Sequence, residues 1–301
     1  MTDEAEFRAG FVAVVGRPNV GKSTLINALV GSKVSIVTAK PQTTRHRILG
    51  VLSTPGAQII LVDTPGMHRS GGKAMNRVMN RAAANAVLDA DVVLFVLEAD
   101  RWTDEDADVL GRIQKSGRPA IAVLNKVDTV HPKDAILGAL QRLSERHAFE
   151  EMIPVSARDG TNLDVITQQV TRYLPLSPPL YPDDMRTDKS REFQAAEVIR
   201  EKLTLMLHQE LPYGLTVQVE RLTETDGRFS IDAVIWVERD SQKGIVVGKG
   251  GSRLKMIGRE ARLELKHALG APVHLELWVK VKQNWADNEK DLQALGIDPG
   301  S

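Results

Sequence analysis

Residues 11–28 read FVAVVGRPNVGKSTLINA. A short apolar run, Phe11 to Val15, leads into Gly16-Arg17-Pro18-Asn19-Val20-Gly21-Lys22-Ser23, and an amphipathic run from Thr24 to Leu29 follows. That is strand, glycine-bounded loop and helix, the order a phosphate-binding P-loop requires. Successive backbone N–H groups and the positive end of the new helix converge on one point and cradle anionic oxygens. Gly16 and Gly21 let the backbone close on the phosphates without a Cβ in the way. Lys22 would reach the β- and γ-phosphates, and the Ser23 hydroxyl would ligate Mg²⁺. The stretch predicts a nucleoside triphosphate site.

The chain of 301 residues is long enough for two domains, each with its own core. Apolar content of 42% and charged content of 26% are those of an ordinary globular protein. Cysteine is absent, which excludes disulfides, thiolate metal sites and cysteine nucleophiles. The seven histidines lack paired ligand spacing, so zinc is not expected. MTDEAEFRAG at the N-terminus is acidic and polar, unlike a signal or transit peptide. With no apolar run long enough to span a bilayer, a cytoplasmic protein is the expectation. Formal net charge is zero, so nucleic-acid binding would have to come from a local patch.

Outward from the P-loop, strands alternate with helices. Lys33 to Val37 could begin a strand, and Thr38 to Arg47 reads as a polar loop. Ile48–Leu52 and Gln58–Val62 look like strands paired across Ser53-Thr54-Pro55-Gly56. A helical pattern runs from Lys73 to Leu88, and Asp91 to Glu98 is a strand of the buried, parallel-sheet type. Residues 103–115 read as a helix with Thr103 as N-cap and Asp106 in its first turn. A strand (Pro119 to Leu124), a helix (Pro132 to His147), a strand (Met152 to Val155) and a helix (Leu163 to Leu174) complete a doubly wound, mostly parallel α/β domain. Four prolines between Pro175 and Pro182 then favour an extended, fairly stiff connection. The expected division is 1–178 for the first domain, 179–190 for the linker and 191–301 for a smaller α+β domain with a C-terminal tail. That second unit reads helix (Arg191 to Gln209), strand (Leu215 to Leu222), turn at Asp226-Gly227, and strand (Arg228 to Glu238). A short helix, Gly248-Lys249-Gly250-Gly251, a long helix (Ser252 to Leu269) and a strand (Val273 to Lys282) follow, and the tail from Asn284 to Leu295 is expected to add one more short helix.

Loops at strand ends are where ligands bind in an open α/β sheet. In Asp63-Thr64-Pro65-Gly66, the carboxylate can hold Mg²⁺ through a water and the Gly66 N–H can bond the γ-phosphate, although Thr-Pro-Gly also makes plain turns. Asn125-Lys126-Val127-Asp128 discriminates better. The Asp128 carboxylate can accept both N1–H and the exocyclic amino hydrogens of guanine, a donor pair adenine lacks. The Lys126 stem can lie across the base, and Asn125 can tie this loop to the P-loop. Val155-Ser156-Ala157 supplies a backbone N–H for the guanine O6. The nucleotide set is therefore Gly16 to Thr24, Asp63, Thr64, Pro65, Gly66, Asn125, Lys126, Asp128, Ser156 and Ala157.

GRPNVGKS, DTPG, NKVD and VSA together are similar to the signature loops of the translation-factor-related small GTPases, and Lys40-Pro41-Gln42-Thr43-Thr44-Arg45-His46-Arg47 resembles switch I of the Era family. The resemblance implies Mg²⁺ ligation by Ser23 and the second threonine, Thr44, which orders when the γ-phosphate is present; Thr43 is the competing candidate. Switch II would run from Asp63 through Gly71 and Gly72. Met67 stands where Ras-type enzymes carry a water-orienting glutamine, so the resemblance implies hydrolysis through other groups, here Lys22, Thr44, Gly66 and Asn19. It also implies that Asn19 helps coordinate K⁺. Arg45 and Arg47 are either cis arginine fingers or switch and RNA-contact residues.

A GxxG loop between helices is how KH domains clamp a single-stranded RNA backbone, and helix-strand-strand-helix-GxxG-helix-strand resembles the type II KH arrangement. Candidate RNA contacts are Gly248, Lys249, Gly250, Gly251, Arg253 and Lys255, with Arg259, Arg262 and Lys266 adding to the basic face. Phe193 to Lys202 and Glu210-Leu211-Pro212-Tyr213 extend the family resemblance over nearly the whole chain. It implies GTP and GDP as ligands, binding to the 3′ end of small-subunit ribosomal RNA, a role in 30S maturation, a monomer, and peripheral contact with the inner membrane face. A nucleotide-using metabolic enzyme and a GTP-regulated protein scaffold are the rival readings.

Overall fold

The computed structural model describes residues 7–38, 40, 43–66, 74–207, 214–295 and 297. Met67, Gly71 and Gly72 of the expected switch II, Pro41 and Gln42 of switch I, and Glu210 to Tyr213 lie outside these residues. The leading apolar run forms β1 (Arg8–Val15) and the P-loop helix is α1 (Lys22–Val30). β2 (Ile48–Thr54) and β3 (Ala57–Asp63) pair as a hairpin, followed by α2 (Ala74–Asp89), β4 (Val92–Glu98), α3 (Asp104–Ser116) and β5 (Ala120–Asn125). Helix α4 (Ala135–Ser144), β6 (Glu151–Pro154) and α5 (Leu163–Tyr173) finish the unit.

The six strands stand in the order β2-β3-β1-β4-β5-β6, and only β2 runs antiparallel to its neighbour. Alternation along β1 explains the double winding. Val12 and Val14 pack in the core on the α1 and α5 face, while Ala13 and Val15 pack with α2 and α3 on the other. Each strand is therefore apolar on both sides. All four parallel strands nearest the centre end on one edge, so their loops converge there.

The strand expected at Lys33 to Val37 does not form. Side chains satisfy that backbone instead: Val34 and Ser35 N–H both donate to Asn27 Oδ1 at 3.0 Å, and Val37 N–H donates to Glu201 Oε1 at 2.9 Å. With its donors taken, the segment has no use for a sheet neighbour. The proline-rich connection runs along the sheet rather than away from it. Gln58 bonds Leu180 and Tyr181, Val51 N–H donates to the Arg186 carbonyl at 2.9 Å, and Leu49 N–H to Asp188 Oδ1 at 3.0 Å. These contacts cover the otherwise open edge of β2.

The second unit comprises α6 (Arg191–Met206), β7 (Leu215–Thr225), β8 (Arg228–Val237), α7 (Asp240–Val247), α8 (Ser252–Leu269) and β9 (Val273–Val281). β7 and β8 form the expected hairpin, and β9 lies parallel to β8 because α7 and α8 carry the chain back across the sheet. A short helical turn at Trp285–Asp287 and α9 (Glu289–Ala294) close the chain. They return to the first unit, where Trp285, Ala286, Leu292 and Ile297 bury against Ala74, Met75, Val78 and Met79 of α2. Each large apolar side chain removed from water there contributes about 1.5–3 kcal/mol.

A second contact joins the units through residues 43–46. Arg45 Nη1 donates to the Leu215 carbonyl at 2.6 Å, Arg200 Nη2 donates to the Thr43 carbonyl, and the His46 ring meets Phe193 edge-on at 4.9 Å. Burial pushes the His46 pKa down to about 4, with Glu197 opposing and Arg200 and Arg45 adding to the fall. As acid is added, the unfolded chain, with its histidine near 6.5, takes the proton first. Stability is thus intact above about pH 6.5 and is lost as pH falls from there toward 4, by about 2 kcal/mol at pH 5. The melting temperature should therefore drop more between pH 7 and pH 5 in the wild type than in His46→Gln. Equal drops would show that another group titrates.

Candidate functional site

The P-loop closes because two glycines allow contacts a side chain would block. A Cβ on Gly16 would lie 2.3 Å from the Val96 carbonyl oxygen, and one on Gly21, at φ 99°, would lie 2.3 Å from Asn125 Nδ2. Inside the loop, Lys22 Nζ donates to the Gly16 and Arg17 carbonyls at 3.0 Å each. Burial pulls its pKa down to about 8, partly offset by Asp63. A cavity of about 340 Å³ opens in front of it, lined by Pro18, Asn19, Gly21, Lys22, Ser23, Thr24, Lys40, Thr43, Thr44, Gly66 and Lys126 among others.

Three predicted oxygen donors meet at one end of this cavity. Ser23 Oγ donates to Asp63 Oδ2 at 2.9 Å and lies 3.0 Å from Thr44 Oγ1, which is 3.4 Å from the same carboxylate oxygen. Thr43 turns elsewhere: its hydroxyl bonds the Lys40 carbonyl and the Thr38 hydroxyl, both at 2.6 Å. Between the two threonines, the geometry therefore selects Thr44 as the partner of Ser23 and Asp63. Burial pushes the Asp63 carboxyl up, and its Oδ1 is buried without a hydrogen-bond partner. Two hydroxyls and a carboxylate with an open oxygen make the all-oxygen, hard-donor set that Mg²⁺ takes. Bound there, the ion would neutralise developing phosphate charge. Among the described residues no cluster of three His, Cys, Asp or Glu side chains exists that would suit a softer metal.

The base-reading loops assemble beside the P-loop. Asn125 Nδ2 donates to the Val20 carbonyl at 2.8 Å while its Oδ1 accepts from Ala157 N–H at 3.0 Å, so one amide ties three loops together. Asp128 accepts from Ser156 Oγ at 2.8 Å, and Arg158 lies 2.9 Å from its other oxygen; these contacts hold the carboxyl below its usual range. Some predicted residues sit behind the cavity rather than on it. Val20 is core, Thr64 Oγ1 is committed to the Val14 carbonyl at 2.8 Å, and Arg17 points away to Asp106 and Glu98. Arg45, reaching toward β7, is not aimed as an arginine finger.

Reading the sequence as strand and helix alone missed Glu98. This carboxylate, at the end of β4, pairs with both Arg17 of the P-loop and Lys126 of the base loop, and Lys126 also donates to the Asn19 carbonyl at 2.7 Å. Burial works against the Glu98 anion, yet hydrogen bonds from Lys126 and Arg17 hold its pKa below the ordinary value. The available signal was an acidic residue ending an apolar strand at the ligand-binding edge.

In the second unit the GxxG loop follows α7 and opens α8. Gly248, Gly250 and Gly251 have φ of 72°, 57° and 77°, and a Cβ on Gly248 would stand 2.7 Å from that of Arg253. Arg253 Nη1 donates to the Ile245 carbonyl at 2.8 Å, so this predicted contact residue closes the loop from behind. Alongside runs a groove of about 700 Å³ lined by Gly251, Leu254, Lys255, Arg259, Arg262, Leu275 and Leu277, among others.

Residues 11–126 match the family described as 50S ribosome-binding GTPase, and residues 210–286 match the KH domain family. The GTPase Era of Stenotrophomonas maltophilia is 48% identical over 99% of this chain and 100% of its own length, and that of Vibrio vulnificus is 46% identical over 98% and 93%. The chain belongs to the Era family of GTPases. A crystal structure of Aquifex aeolicus Era, as a variant bound to GDP and aluminium fluoride, superposes with a TM-score of 0.94 at 39% identity, covering 97% of this chain and 100% of that one. Another Era structure, in complex with MgGDPNP and nucleotides 1506–1542 of 16S ribosomal RNA, gives 0.93 at 39% identity over 97% and 99%. Era proteins are GTPases, so the reaction is hydrolysis of GTP to GDP and phosphate, and the second unit is a KH domain.

In this Era-family chain, Glu98→Gln should loosen Lys126 and Arg17 together while preserving shape. One charged hydrogen bond is worth about 1.5 kcal/mol, so the Kd for GDP should rise about tenfold in a fluorescence titration. Unchanged affinity would mean that Lys126 keeps its position without the carboxylate.

Proposed function

We propose that this protein is a GTP-hydrolysing switch that grips the 3′ end of small-subunit ribosomal RNA through its KH domain and acts in 30S maturation. The observation that carries this reading is that two segments tied to the nucleotide cavity both rest on the KH unit. Residues 43–46 contact α6 and β7, and α2, which follows the Asp63–Gly66 loop in the chain, packs on Trp285 and α9. A ligand that reorders Thr44 must therefore act on the neighbouring Thr43–Arg200 contact.

In this reading the P-loop N–H groups from Gly16 to Thr24 and Lys22 hold the phosphates. Ser23, Thr44 and Asp63 hold Mg²⁺, and Gly66 meets the γ-phosphate. Asn125, Lys126, Asp128, Ser156 and Ala157 recognise guanine. Asn19, which lines the cavity, contributes to a K⁺ site that assists hydrolysis; equal rates in K⁺ and Na⁺ would remove that claim. Gly248 to Gly251, Lys249, Arg253 and Lys255 form the RNA clamp beside the groove. Residues 1–178 are the GTPase domain, 179–190 the linker and 191–301 the KH domain with its tail. The protein works as a cytoplasmic monomer. Any membrane contact is peripheral, since among the described residues no helix is long and apolar enough to cross a bilayer.

The relative complexed with 16S ribosomal RNA supports the choice of RNA. The absence of an evident acceptor site in the sequence disfavours a kinase. A Gly250→Asp, Gly251→Asp double variant should lose binding to a 3′-terminal 16S RNA fragment while keeping its affinity for GTP. Retained RNA binding would favour the protein-scaffold reading. Wild-type RNA affinity should also differ between the GDP-bound and GDPNP-bound states. Replacing the buried pair together, Glu197→Gln with Arg200→Gln, should bring the ratio of the two affinities toward one. A ratio untouched by the double replacement would place the coupling elsewhere.

A further inference from the structure

Three lysines line the nucleotide cavity, and two of them have acceptors. Lys22 donates to P-loop carbonyls, and Lys126 to Glu98 and the Asn19 carbonyl. Lys40 differs. Its Nζ is shielded from solvent and meets no hydrogen-bond acceptor among the described residues. A desolvated, unmatched ammonium is costly, and the cost is recovered only when an anion arrives. Burial accordingly lowers the Lys40 pKa from its ordinary value.

The backbone beneath Lys40 is built to hold it in place. Its carbonyl accepts from Thr43 Oγ1 at 2.6 Å and its N–H donates to Thr38 Oγ1 at 3.2 Å, while the two threonine hydroxyls bond each other at 2.6 Å. This closed ring of hydroxyls ties the position of Lys40 to Thr44, the next residue after Thr43, whose own hydroxyl faces Ser23 and Asp63. A cation fixed relative to the phosphate end of the cavity, and left without a partner until the cavity fills, has the makings of a ligand for the triphosphate.

We propose that Lys40 is a further catalytic residue of the GTPase, its ammonium donating to a phosphate oxygen of GTP and stabilising the charge that builds there as the bond to the γ-phosphorus breaks. The water oxygen bonds the γ-phosphorus as the bridging bond to GDP breaks; GDP leaves with the electron pair, the water's protons pass to the phosphate product and solvent, and Lys40 moves no proton and forms no covalent bond. Charge stabilisation of this kind acts most strongly in the transition state. It supplies cationic assistance in a chain whose sequence has methionine at position 67 in place of a water-orienting glutamine. The proposal rests on the cavity being the GTP site.

The test compares wild type, Lys40→Met and Lys40→Arg as full-length proteins. Lys40→Met should lose about a hundredfold in single-turnover GTP hydrolysis, the scale of one transition-state donor, while binding GDP within threefold of wild type. It should also bind GDP with aluminium fluoride at least tenfold more weakly than wild type. Lys40→Arg, which keeps the charge, should recover most of both losses. Wild-type hydrolysis in Lys40→Met, or equal losses in the methionine and arginine variants with GDP binding intact, would overturn the assignment. Should wild type bind no guanine nucleotide, the reading of the cavity would fall with it, a result told apart by the wild-type titration alone.

Discussion

The structure turns on a single peptide unit, the one between Thr43 and Thr44. On one side of it the Thr44 hydroxyl, on the cavity wall with Ser23, bonds Ser23 and Asp63. On the other side the Thr43 carbonyl accepts from Arg200, which the KH unit holds through paired bonds to Glu197 at 2.7 and 2.6 Å. The carbonyl belongs to the planar peptide group and the hydroxyl to the side chain on its far Cα, so neighbouring groups serve two different sites. A shift of Thr44 would therefore bear on the acceptor of Arg200 in the adjoining residue. The contact between the two units at this point is direct, with no residue between Arg200 and Thr43.

Glu197 and Arg200 make this junction demanding. Burial alone would raise the Glu197 carboxyl, yet Arg200 holds it below its ordinary value, so the anion persists in a site nearly closed to water. Arg200 has donors to spare once Glu197 is satisfied, and the Thr43 carbonyl takes one of them. Losing that acceptor would leave a buried guanidinium donor unmet, at about 1–3 kcal/mol. A lysine here would offer the charge without the planar fork that serves a carboxylate and a carbonyl at once.

Much of the fold was legible because the strands are short apolar runs ended by loop chemistry that only certain residues can supply. The hairpin across Pro55-Gly56, the Thr103–Asp106 cap of α3 and the α6-to-β9 order all follow from local pattern, and the cap is present as a reciprocal pair of bonds. What failed locally failed for a tertiary reason. Val34 to Val37 has strand-forming residues, but Asn27 and Glu201 take its N–H groups, and the second of these comes from a helix far along the chain. The site divides the same way. Loops such as Asn125 to Asp128 declare themselves through residue types matched to a ligand. Glu98 and Arg158 are charged residues in ordinary contexts until folding brings Arg17, Lys126 and Asp128 against them. The choice between Thr43 and Thr44 likewise required knowing which hydroxyl faces Asp63.

The joint between the two units combines charged pairs with apolar packing. Lys33 of the first unit pairs with Glu201 and Glu264 of the second, and within the second unit Lys202 pairs with Glu264 and Arg200 with Glu197. Among the described residues, the Trp285 cluster on α2 adds an apolar contact between the units. Ion pairs withdrawn from water recover in mutual attraction roughly what they lose in hydration, so they define a geometry while adding little net stability. An interface built mainly from large apolar area would instead lock the units together at tens of kcal/mol per thousand Å². A ligand moves an equilibrium between two arrangements only by the difference in its affinity for them, and a difference of about 2–5 kcal/mol shifts most of a population. Charge at Lys33 and Arg200 thus fixes which residues meet, while the Trp285 cluster supplies the apolar area.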